Sequence, residues 1–154
     1  MSLKRALYLD DLRIPTKQIP GYHPWEVVTN FDEFTKHIED NGCPDYISFD
    51  HDLHQEHYAP EHLWNTEGYT EFAKGFVEKT GLDCAKWLCD FCEKKGIDVP
   101  LCSIHSDNPV GADNIKNYIN NYKRFYKQSP DCFITKHAHT LPEGFSWKDV
   151  LPKV

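Results

Sequence analysis

No uninterrupted apolar run in this chain approaches the length needed to span a membrane. The basic start, Met1-Ser2-Leu3-Lys4-Arg5, is not followed by the roughly 7–15 apolar residues of a leader peptide, so no signal peptide is expected. Positive charge is also in short supply: 17 Lys and Arg stand against 24 Asp and Glu, a formal charge of −7. Affinity for duplex nucleic acid comes mostly from cationic contacts to phosphate, which argues against tracking along a duplex. It leaves room for a small phosphate ester or a single RNA end. Repeats, low-complexity tracts and internal linkers are missing as well, and 154 residues suit one domain with its own core. A soluble cytoplasmic protein is the expectation, with no signal for an oligomeric state.

Cysteine is present but forms no framework. Cys84, Cys89 and Cys92 fall in one helical stretch, and Cys43, Cys102 and Cys132 lie beside strands. Cys89-Asp90-Phe91-Cys92 is a C-x-x-C, yet no second pair stands at zinc-ribbon spacing, so buried free thiols are predicted. Histidine gives no zinc motif either. His54-Gln55-Glu56-His57 lacks the His-Glu-x-x-His spacing, His62 shares its polar surroundings, and His137 and His139 are weaker still.

What the chain does have is chemistry at the ends of its apolar runs. Tyr8-Leu9-Asp10-Asp11 closes one, Ser48-Phe49-Asp50-His51-Asp52 a second and Ser103-Ile104-His105-Ser106 a third. Strands are predicted over 5–9, 25–29, 46–49, 100–104 and 132–135. Helices are predicted from Asn30, from Thr80 to Lys95 behind a Thr-x-x-Asp cap, and after the turn Asn108–Gly111 through Ile115, Tyr118, Ile119, Tyr122 and Phe125. Pro15, Pro20 and Pro24 exclude a regular helix in the first connection. Residues 54–79 read as a long polar insert, helical at most over 71–78, of the kind that often forms a lid. The alternation of strands and helices points to a parallel sheet covered on both faces, with ligands in the crevice outside the strands' carboxyl ends.

Each cluster there has a bland reading. Acids often end strands in solvated loops, but Asp10, Asp11 and Asp50 together suit a hard cation such as Mg2+. Without a cation, three carboxylates in one crevice should raise a pKa. His51 and His105 at neighbouring strand mouths suit phosphate-ester hydrolysis, where one group takes a proton from water and another gives one to the leaving oxygen. Ser106-Asp107-Asn108-Pro109-Val110-Gly111 leads into a helix N-terminus that can cradle an anion, although the same residues are ordinary turn formers.

Asp10-Asp11 after the first strand, Asp50 after the third, Ser106 after the fourth and Lys136 after the fifth resemble the receiver fold of two-component signalling. More specifically, Leu9-Asp10-Asp11-Leu12-Arg13-Ile14-Pro15, Phe49-Asp50-His51-Asp52-Leu53, Thr80-Gly81 and His105-Ser106-Asp107-Asn108-Pro109 resemble the cyclic-phosphate-processing receiver-like domains. That family is linked with RNA repair and phage–host conflict, which implies a bacterial or phage-infected cytoplasm. The resemblance runs over residues 4–136. Two departures from ordinary receivers, the proline-rich segment after Arg13 and the added His51 and His105, fit the cyclic-phosphate variant better than signalling.

The resemblance implies one α/β domain over residues 1–154, with a flavodoxin-like, doubly wound parallel five-stranded sheet of order 2-1-3-4-5. Its core covers 4–136, the insert or lid 54–79 and a C-terminal strap 137–154. The expected function is a phosphoesterase acting on a small cyclic nucleotide or a 2′,3′-cyclic RNA end. Asp10, Asp11 and Asp50 would hold Mg2+ or orient the histidines. His51 and His105, with Asp50, would do the chemistry, and Arg13, Thr80, Ser106, Asn108 and Lys136 would contact the phosphate or ligand. The rival expectations are a phospho-accepting receiver module and a non-catalytic cyclic-nucleotide sponge.

Overall fold

A computed structural model describes residues 3–15, 18–53, 66–73 and 79–135. Five parallel strands, β1 (Ala6–Leu9), β2 (Glu26–Val28), β3 (Tyr46–Phe49), β4 (Leu101–Ile104) and β5 (Phe133–Ile134), form one sheet of order β2-β1-β3-β4-β5. This is the flavodoxin-like order expected. The order reverses between β1 and β3, the topological switch point at which open α/β sheets bind ligands.

Register decides what meets at that point. Leu9 pairs with Phe49, and Phe49 with Ile104. The ladder then runs one residue further, through Asp50 N to Leu9 O at 2.9 Å and His105 N to Phe49 O at 2.9 Å. Asp10, Asp50 and His105 therefore leave the sheet side by side.

The sheet's two faces are covered differently. Leu7, Leu9, Ile47, Phe49, Cys102 and Ile104 pack under α1 (Phe31–Asn41), α3 (Gly81–Lys95) and α4 (Pro109–Phe125). Alternate positions Ala6, Tyr46 and Leu101 meet Ile19, Tyr22 and Trp25 from the first connection. Among the described residues, irregular chain rather than helix closes this second face. The three prolines account for it, since proline lacks the N–H a helix interior needs.

Local signals set the helix ends. Asn30 accepts from Glu33 N at 2.8 Å, but Glu33 turns back to Thr29 N at 3.0 Å instead of to Asn30, so the box is shifted by one residue. Asp83 accepts from Thr80 N at 2.8 Å to start α3, and Gly96 ends it at φ 68°. Asn108 accepts from Gly111 N at 2.9 Å to start α4, with Pro109 in the first turn.

Within the insert, α2 (Thr66–Ala73) begins earlier than the periodicity over 71–78 suggested. Residues 54–65 and 74–78 of the expected lid, the strap over 137–154, Lys136 and the histidines at 54, 57, 62, 137 and 139 lie outside the described residues. All six cysteines are free, five of them buried. No helix among the described residues is long and apolar enough to cross a membrane.

Candidate active site

Asp10 is held from four directions. Its Oδ1 accepts from Leu12 N and Arg13 N at 2.9 Å each, and its Oδ2 accepts from Arg13 Nε at 2.9 Å and faces His105 Nε2 at 3.0 Å. Burial alone would push this carboxyl up, but those donors win and hold it below the usual range. It is a carboxylate.

Asp50 has the opposite fate. Burial, followed by repulsion from Asp10, pushes its carboxyl up to about 8, against the opposing pull of Arg13. This is the raised pKa that crowding three acids predicts. Asp10, Asp11 and Asp50 bring ligand oxygens within 4.8 Å of one another, a group able to hold a metal ion. The donor set fits a cation, because the acids outnumber the positive charge among them. Arg13 reaches Asp10, Asp50 at 3.6 Å and Asp107 at 3.4 Å, and its side chain keeps 40% exposure, so it is the part of the cluster open to a ligand.

The two histidines do not face each other as an acid–base couple. His51 belongs to the helix-covered side. Its ring abuts Gly111 of α4 so closely that a Cβ there would lie 2.4 Å from the imidazole Cγ. Its Nδ1 lies 2.8 Å from Asp52 Oδ1 and 3.2 Å from the Tyr69 hydroxyl of α2. Since Asp52 accepts, the proton sits on Nδ1 and the lone pair on Nε2. His105 belongs to the other side, stacked on Tyr8 with centroids 4.4 Å apart and planes 9° apart. Asp10 accepts a hydrogen bond from its Nε2–H, while Nδ1 lies 2.7 Å from Ser48 Oγ inside the core. The two imidazoles therefore hold opposite tautomers.

Thr80 and Asn108 serve the scaffold where they stand. Thr80 is buried at the start of α3 with its N–H on Asp83. Asn108 is buried too, its Oδ1 capping α4 and its Nδ2 donating to Asp52 at 3.2 Å. Ser106 is half-buried, hydrogen-bonds Asp50 and accepts from Asn108 N at 3.1 Å.

Close packing fixes the strand-end backbone. A Cβ on Gly81 would lie 1.9 Å from the Asp50 carbonyl oxygen, so glycine alone lets α3 come this near. Sequence reasoning missed Tyr8, Ser48 and Ser103, and a signal was available. Each stands two residues before Asp10, Asp50 or His105, so strand alternation puts them on the same face. Tyr69, inside the insert, carried no such signal.

A family model described as the cyclic-phosphate processing receiver domain matches residues 5–121. No curated protein and no solved structure matches the chain.

Proposed function

This chain belongs to the family of cyclic-phosphate processing receiver domains, and from that premise we propose that it is a phosphoesterase that opens a cyclic phosphate. Its substrate class is a small cyclic nucleotide or a 2′,3′-cyclic RNA end. The observation that carries this reading is Asp52 on His51 at 2.8 Å, an oriented imidazole with its lone pair on Nε2, on a residue whose backbone N–H donates to Asp50 of the acid cluster at 2.9 Å. Storing a phosphoryl group on Asp50 needs no such base. Opening the ring needs one.

Hydrolysis forms a bond from water oxygen to phosphorus and breaks the bond from phosphorus to a ribose oxygen. His51 takes the water's proton at Nε2. Asp50, protonated near neutrality in the cation-free site, gives its proton to the departing oxygen. Arg13 and Ser106 are placed to meet the phosphate's charged oxygens. Asp10, Asp11 and Asp50 fit a divalent ion such as Mg2+, which when bound would hold Asp50 ionised and, in place of that proton, supply positive charge to the phosphate and the departing oxygen.

The test is a panel of cyclic mono- and dinucleotides and of oligoribonucleotides with cyclic ends, followed by phosphorus NMR for product and by calorimetry for binding. Appearance of a linear phosphate ester supports the reading. Binding without product would point instead to a sponge. A stable phosphoryl adduct after acetyl phosphate, lost in Asp50→Asn, would favour the signalling module, whose support is the acid cluster with Ser106 on Asp50.

Mg2+ binding is expected to be linked to protons. The cation must displace the proton that burial and Asp10 keep on Asp50, so affinity should tighten as pH rises through about 8 and then level. Calorimetry in buffers of different ionisation enthalpy counts the protons released. A proton-independent affinity removes Asp50 from the ligand set.

A further inference from the structure

A line of buried polar groups runs from the crevice into the second face of the sheet. His105 Nδ1 lies 2.7 Å from Ser48 Oγ, the Ser103 hydroxyl donates to Ser48 Oγ at 3.3 Å, and the Tyr46 hydroxyl lies 2.6 Å from Ser103 Oγ. Ser48, Ser103 and Tyr46 are fully buried and His105 is 1% exposed, so none can exchange these partners for bulk water. Side chains of this kind would ordinarily be replaced by apolar ones in a strand buried on both faces.

The Asp10 end of the line gives it one direction. Asp10 only accepts, which puts the imidazole proton on Nε2 and leaves Nδ1 a lone pair. Nδ1 can then only accept from Ser48. Having used its proton, Ser48 accepts from Ser103, and Ser103 accepts from Tyr46. Each serine hydroxyl has one donor and one acceptor role, the Tyr46 hydroxyl donates at the head of the line, and all agree.

We infer that His105 is a positioning residue locked by Ser48, Ser103 and Tyr46 as the Nε2–H tautomer, serving Asp10 rather than exchanging protons with substrate. Its lone pair points into the core, where no water or ribose oxygen can reach it. Its N–H is committed to the carboxylate that also holds Arg13 through Nε at 2.9 Å. The line thus fixes Asp10, and through Asp10 the guanidinium that meets the phosphate.

The inference divides work within the proposed reaction, and it is tested without relying on that reaction. Nitrogen-15 NMR of the full chain at pH 7 should give His105 the pattern of a neutral Nε2–H imidazole. In Ser48→Ala that signal should broaden or shift, because Nδ1 loses its donor. A neutral Nδ1–H pattern or an imidazolium in the wild type overturns the inference, whatever substrate the protein takes. The second arm is chemical. Glutamine presents an amide N–H to Asp10 and a carbonyl oxygen to Ser48, but it cannot carry a proton back and forth. His105→Gln should therefore keep turnover within about tenfold of wild type, while His105→Leu should raise KM as Asp10, which anchors Arg13, loses a donor. A His105→Gln protein that folds, binds substrate and turns over no faster than His51→Gln overturns it as well. If no cyclic phosphate is turned over at all, the proposed function fails and the NMR arm still decides the tautomer.

Discussion

His51→Gln is expected to lower turnover of a cyclic phosphate by about 10²–10⁴-fold, the usual worth of a positioned general base. Glutamine is near the imidazole in bulk, an important match where Gly111 leaves no spare room beside the ring. Its amide cannot take a proton from water. Arg13 and Ser106, the groups assigned to the phosphate, are untouched, so substrate affinity should change far less than turnover. Asp52→Asn should act in the same direction by a different route. An amide in place of the carboxylate no longer fixes the proton on Nδ1, and the lone pair is no longer held on Nε2. Steady-state rates at saturating substrate, with the fold checked by circular dichroism, read both effects. Turnover within a few-fold of wild type in both variants would take His51 out of the chemistry.

Asp50→Asn is expected to stabilise the cation-free protein while removing its activity. The wild-type carboxyl is pushed from 3.8 to about 8 by burial and by Asp10. Between those values the folded chain binds a proton that the unfolded chain has released, so stability falls as pH rises from about 4 to about 8. Each pKa unit is worth about 1.4 kcal/mol, which puts the cost at pH 7 on the order of 4 kcal/mol. Asparagine removes the charge from both states and should recover much of that. Urea unfolding of the two proteins at pH 4.5 and pH 8 is the measurement. Their midpoints should lie close together in acid and separate at the higher pH, with the variant more stable. Equal midpoints at both pH values would show that Asp50 ionises freely in the fold.

Much of this arrangement was legible in the chain because strand ends are punctuated. Asp10-Asp11, Asp50-His51-Asp52 and His105-Ser106 each follow a short apolar run, and parallel strands had to bring such ends to one edge. Pro15, Pro20 and Pro24 argued against a helix in the first connection, and none forms there among the described residues. What could not be read was where the His51 imidazole comes to rest. That depends on how the chain turns after Phe49 and on α4 pressing Gly111 against His51, a tertiary contact without a local signature. Thr80 and Asn108 show the same limit. A Thr or Asn before a helix can cap it, meet a ligand or do both, and the capping shows only in the observed bonds to Asp83, Gly111 and Asp52.

The free thiols of the core have a use beyond packing. Cys84 and Cys89 lie on α3, Cys102 on β4 and Cys132 just before β5. Burial raises the pKa of all four, so at neutral pH they are protonated and shielded from alkylating reagents. Capture by iodoacetamide must wait for the chain to open. Located by peptide mass, the order in which these sulfurs are caught becomes a record of which part of the molecule breathes first, helix layer or sheet edge, written without any added label.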